Sequence, residues 1–219
     1  MIPADTAWRW DYVDSLVRRW FPPGEQAAEP DLSDAARRLG PLSPALAALA
    51  ARAARHDVWG VQDTVLAPDA WRPEDTHLVI AREAQGVTEW AVPLSEIAAD
   101  DPPVDLRDPD SGRWVREFSS VSEFAVGWVL LAVKFSGADL PRANGQVPYE
   151  AVDRLRAEFD VLSLRITWPA DPTWFASLPD ALVEVDGGAW AWVTARDRGA
   201  YEAAMTELTR LGMELDESA

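Results

Sequence analysis

The stretch His77–Leu94, HLVIAREAQGVTEWAVPL, decides the fold. His77 to Glu83 is rich in β-branched and other apolar residues, and Thr88 to Leu94 alternates around Trp90 and Val92. Between them, Ala84-Gln85-Gly86-Val87 supplies a turn in which Gly86 is free to take a positive φ. The stretch is therefore expected to be a β-hairpin, with Trp90 buried on its second strand.

C-terminal to this hairpin, Pro102-Pro103 breaks the next connection and leaves Asp101–Arg107 as a short edge strand. Trp114 to Phe118 alternates and reads as one more strand. Ser120-Val121-Ser122-Glu123 fits a capping box, in which Ser and the Glu three residues on satisfy each other's backbone amides. The helix that follows carries Phe124, Trp128, Leu131 and Phe135 at helical spacing. On the N-terminal side, Thr6 or Asp5 caps a first helix with Trp10, Val13, Leu16, Val17 and Trp20 on one stripe, and Pro22-Pro23-Gly24 stops it. A polar Gly/Glu/Gln/Ala linker follows. Asp31 or Ser33 opens a second short helix that ends at Gly40-Pro41. Ser43-Pro44 opens a third, through about Arg55, with Leu46, Leu49 and Ala53 inward. Val58–Pro68 reads as a turn and a short strand.

This order of elements resembles the Smi/Knr family of the SUKH superfamily over about residues 30–135. The resemblance rests on the Glu83-Ala84-Gln85-Gly86-Val87 turn, the strand with Trp90, Asp101-Pro102-Pro103-Val104, the next strand, and the Ser120-x-x-Glu123-Phe124 helix start. Gly40-Pro41-Leu42-Ser43-Pro44-Ala45-Leu46 is similar to the family's loop-to-helix junction. Ala84 stands where many relatives have Asn. Bacterial members are mostly immunity proteins or their relatives, and fungal members include cell-wall-synthesis regulators. The resemblance implies a non-catalytic module that binds a protein, with a toxin neutralised by an immunity-type protein as the leading case. The alternatives are a regulatory or scaffold protein that binds an endogenous partner, and a hydrolase with an unrecognised site.

Beyond Ser136 the segment GADLPRANGQ reads as a linker. Tyr149–Phe159 is expected to be helical, with Val152, Leu155 and Phe159 on one side, and Val161–Trp168 to be a strand. Gly187-Gly188 is a two-residue hairpin signal. Closing on it pairs Val185 with Trp190 and Val183 with Trp192, all four on one face. A last helix runs from about Arg198 to Leu211, with Tyr201, Met205 and Leu208 inward and Gly212 ending it. The fold class is thus α+β. An antiparallel or mixed sheet is packed by N-terminal helices and one following helix in residues 1–141. A β-hairpin and helix make up residues 142–219, either beside that sheet or extending it.

Composition narrows the function. The 219 residues hold 37 Asp and Glu against 20 Lys and Arg, a formal charge of −17. That balance disfavours nucleic acid, whose phosphates require clustered cations, and anionic membrane surfaces. It suits a basic protein partner, for example a nuclease-like effector. Lys134 is the only lysine, and the Arg, Ala and Pro bias reflects a GC-rich coding sequence. The start, MIPADTAWRWDYVD, lacks a basic region followed by an apolar run, so a soluble cytoplasmic protein is expected.

No residue pattern points to catalysis. There is no cysteine, and the two histidines, His56 and His77, sit in no ligand spacing, so no metal and no cofactor is expected. The Asp100–Asp110 acids lack the calcium-loop pattern. The candidate partner-binding residues are Glu83, Gln85, Trp90, Asp100, Asp101 and Asp105, along the turn and the acidic edge. Replacing Asp100, Asp101 and Asp105 with Asn is expected to slow association while leaving the melting temperature nearly unchanged.

Overall fold

The computed structural model describes residues 5–23, 30–136, 140–164 and 166–217. They form six α-helices and two antiparallel six-stranded sheets, an α+β fold in two compact units, residues 4–132 and 133–219. The units divide between Ala132 and Val133, rather than at the expected 141/142 boundary.

In the first unit, Asp5 accepts from the backbone N–H groups of Ala7 and Trp8 and so opens α1 (Thr6–Trp20). Helix α2 is Ser33–Leu39. Ser43 accepts from Leu46 N at 3.0 Å, and Pro44 takes the first position of α3 (Pro44–Ala53). The expected Gly24–Glu29 linker lies outside the described residues. The strands are β1 (Thr64–Val65), β2 (Arg72–Glu74), β3 (His77–Arg82), β4 (Glu89–Pro93), β5 (Val104–Arg107) and β6 (Trp114–Phe118). Their order is β1-β3-β4-β5-β6, with β2 also paired to β3. Strand β5 is therefore interior, where an edge strand was expected, and β6 is the edge. Pro102 and Pro103 precede β5, so neither removes a donor from its ladder.

Helix α4 (Val121–Ala132) is buried nearly all round, which fits its almost unbroken apolar sequence. A one-sided stripe understated it, and Phe135 lies past its end and is exposed. Both α1 and α3 pack on α4. Trp90, Phe118, Phe124 and Trp128 interlock, with centroids of 5.3 Å for Trp90–Trp128 and 5.6 Å for Phe118–Phe124. Such aromatic pairs add roughly 0.5–1.5 kcal/mol beyond the area they bury.

The second unit has its own sheet: β7 (Arg142–Gln146), β8 (Asp160–Val161), β9 (Thr173–Leu178), β10 (Ala181–Asp186), β11 (Trp190–Ala195) and β12 (Asp216–Glu217), in the order β12-β7-β11-β10-β9-β8. Helices α5 (Tyr149–Glu158) and α6 (Arg198–Arg210) bury Val152, Leu155, Tyr201 and Leu208 in one core with Val183, Val185, Ala191 and Val193. Two expectations change here. Arg142–Gln146, read as linker, is a strand paired on both sides. A Cβ on Gly145 would meet Glu214 O at 3.3 Å, so the glycine admits the C-terminal segment. Among the described residues of Val161–Trp168, the strand pairing is limited to the end of β8 and a bridge from Ile166 to Thr173.

The hairpin register also differs. Asp186 pairs with Trp190 and Glu184 with Trp192, so the loop is three residues, Gly187-Gly188-Ala189. One added residue exchanges the faces of β11. Val183 and Val185 meet Val193 and Ala191, and Trp190 and Trp192 turn away from that core.

Candidate functional site

The expected partner-binding residues all belong to the first unit, and the fold treats them differently. Glu83 ends β3, is 8% exposed, and accepts from the N–H groups of Gln85 at 2.7 Å and Val87 at 3.1 Å. With Gly86 at φ 74°, this carboxylate closes the β3–β4 turn from inside. Gln85 is exposed at the tip, beside Val87. Trp90 is 2% exposed and belongs to the aromatic core.

Asp100 is exposed, and its carbonyl accepts from Ala45 N at the start of α3. Asp101 joins two helix starts. It accepts from the Thr6 hydroxyl at 2.9 Å, from Ser122 N at 3.0 Å and from the Ser122 hydroxyl at 2.6 Å. Ser120 accepts from Glu123 N as the capping box requires, but the Glu123 carboxylate returns to Ser119 N rather than Ser120 N.

Asp105 lies on a sheet face and reaches across β4, so that His77 Nε2 lies 2.9 Å away, while Arg116 Nε donates to it at 2.5 Å. His77 and Asp105 are both buried, and His77 stacks on Trp114 with centroids 4.8 Å apart. Its Nδ1 faces the exposed Thr76 hydroxyl at 3.0 Å. In the tautomer with the proton on Nε2, the imidazole donates to Asp105 and accepts from Thr76. Alongside, Arg107 bridges Glu74 and Glu89, and Arg72 bonds the same two acids. These partners come from separate strands, β2 to β6, and only the alternation of each strand hints that they share a face.

Of the six candidates, Gln85 and Asp100 are open to a partner, Asp101 is half-buried, and Glu83, Trp90 and Asp105 build the frame. The acidic stretch keeps exposed carboxylates at Asp100 and Asp110, and at Glu96, which lies 3.8 Å from Arg116. Asp108 accepts from Ser111 N at 2.7 Å and its hydroxyl at 2.6 Å, which hold its carboxyl below the usual carboxylate range. Among the described residues no group of three or more His, Cys, Asp or Glu side chains is placed to hold a metal ion. None of the described helices is long and apolar enough to cross a membrane. No family model, curated protein or solved structure matches the chain.

Proposed function

We propose that the chain is a non-catalytic protein-binding module of the SUKH immunity type, acting in the cytoplasm on a basic effector. The supporting observation is the set of exposed carboxylates in the two connections that flank β5, Glu96 and Asp100 before it and Asp110 after it. Asp100 and Asp110 stand open and Glu96 reaches only Arg116 at 3.8 Å, while the neighbouring acids are consumed by Ser122, His77, Arg116 and Ser111. Free carboxylates of one sign on a rigid frame steer a cationic surface and raise its association rate. The test is a pull-down with the whole chain as bait, mass spectrometry of what binds, and then the salt dependence of the purified complex. A stoichiometric basic partner whose association slows with salt is expected. An acidic partner, or association indifferent to salt, would overturn the reading. A neighbouring toxin gene would separate immunity from an endogenous regulatory role.

A second reading, a hydrolase, is favoured by one observation. The Thr76 hydroxyl, His77 imidazole and Asp105 carboxylate form a continuous relay ending at the surface. In it the imidazole would act as base towards the hydroxyl. Turnover of an activated ester that is lost in T76V and H77Q would support it, and turnover unchanged in both would dismiss it.

A further inference from the structure

The C-terminal ends of α1 and α3 border a cleft of about 560 Å3, within the range of about 300–1,000 Å3 that small-molecule sites occupy. Its apolar wall is formed by Phe21, Pro22 and Trp59. Its charge runs against the acidic chain: among the described residues Arg18, Arg52 and Arg55 line it, with Asp14 the one acid. Asp14 is already engaged, since Arg52 holds it through two contacts of 2.8 Å while lying over the Trp10 ring. Arg18 has no ion-pair partner among the described residues.

Two of the lining residues carry buried polar atoms with no hydrogen-bond partner among the described residues, His56 Nδ1 and Trp59 Nε1. Trp59 is 3% exposed. An indole N–H can only donate, and leaving it buried and unpaired is costly, so a ligand that reaches it gains by bringing an acceptor. An apolar wall, a guanidinium with no ion pair among the described residues and an indole N–H with no partner among them point to one ligand class. We propose that this cleft binds a small aromatic carboxylate. The ring lies against Phe21 and Pro22, and the carboxylate takes a charge-assisted bond from Arg18 and a second bond from Trp59 Nε1. His56, in the tautomer protonated at Nδ1, adds a third donor. The proposal stands apart from the partner-binding reading, and neither depends on the other.

The test titrates phenylacetate into the full-length protein by calorimetry and ligand-detected NMR, beside phenylacetamide, acetate and inorganic phosphate. Saturable one-site binding of phenylacetate is expected, with the other three weaker by at least about tenfold, as loss of a charge-assisted bond or of the ring contact implies. R18Q alters an exposed side chain in the last turn of α1, and W59F keeps the ring while removing the donor. Each should weaken phenylacetate by about tenfold with an unchanged far-UV spectrum. R18Q carries the test by itself should W59F fail to fold. No saturable binding up to about 10 mM, a millimolar limit on useful affinity, would overturn the proposal. So would equal binding of the amide, equal binding of acetate or phosphate, or an R18Q protein that binds like wild type.

Discussion

The Asp101 carboxylate accepts both the backbone N–H and the hydroxyl of Ser122, at 3.0 and 2.6 Å, and so caps α4 from a distance of 21 residues. A residue picked as surface charge is a structural tie. The D101N exchange should therefore cost about 1–3 kcal/mol, the cost of impairing a partly buried charge-assisted bond. D100N, at an exposed side chain, should stay within about 0.5 kcal/mol of wild type. Urea denaturation of the two variants checks this; equal midpoints would sink it. The triple exchange of Asp100, Asp101 and Asp105 is therefore expected to lower the melting temperature, since Asp105 also loses charge towards His77 and Arg116.

Trp90 separates core from surface in the same way. W90A should remove about 3–5 kcal/mol, because the cavity would open among Phe124 and Trp128. At the nearby turn, G86A forces an alanine into φ 74° and should cost about 1 kcal/mol although no atom within 4 Å would clash. Thermal melts of both variants decide: a W90A protein as stable as wild type would contradict the packing described.

Association can be tested without disturbing that frame. In E96Q/D100N/D110N three exposed charges disappear, with Glu96 otherwise reaching only Arg116 at 3.8 Å. Against the partner identified by pull-down, this variant should associate more slowly and with a flatter dependence on salt. Screening acts over about 8–10 Å near physiological ionic strength, and the melting temperature should hold. Stopped-flow mixing across salt concentrations is the measurement. A wild-type rate at every salt would remove these three carboxylates from the interface and leave the Gln85–Val87 tip.

What the sequence revealed follows the range of the interaction. The β3–β4 hairpin was legible because its turn chemistry is local: Gly86 takes the positive φ, and Glu83 bonds residues two and four ahead. Helix starts at Asp5 and Ser43 were legible for the same reason. The pairing of His77 with Asp105 was not, since it requires β3, β4 and β5 in register across 28 residues. Strand β7 was hidden because Arg142-Ala143-Asn144-Gly145-Gln146 has little β preference of its own, and pairing with β11 and β12 makes it a strand. At Gly187-Gly188 the turn was visible but its length was not, and Ala189 alone moved Trp192 from the core to the side of Glu184.

That register places a titrating group where none was expected. Glu184 is 3% exposed, with its carboxylate 2.5 Å from Lys134 Nζ, and Asp186 lies 3.9 Å from the same ammonium. Burial pushes the Glu184 carboxyl up from 4.5 to about 8, against the opposing pull of Lys134. A carboxyl raised in the folded state holds its proton there while the unfolded chain has released it. The associated stability is therefore full below about pH 4.5 and is lost as pH rises towards about 8. At about 1.4 kcal/mol per unit the effect is on the order of a few kcal/mol. The carboxylates held low by hydrogen bonds, Asp31 through Ser33 and Asp108 through Ser111, act oppositely and only in more acidic solution. E184Q keeps the side-chain shape and removes the titration, and Asp186 remains as a counter-charge for Lys134. All other titrating groups are common to both proteins, so the difference in unfolding free energy isolates Glu184. Urea titrations at about pH 5, about pH 6.5 and about pH 8, spanning that window, should show the wild type losing stability relative to E184Q as pH rises. Parallel curves would mean that Glu184 is ionised throughout, paired to Lys134, and that its burial does not hold the proton.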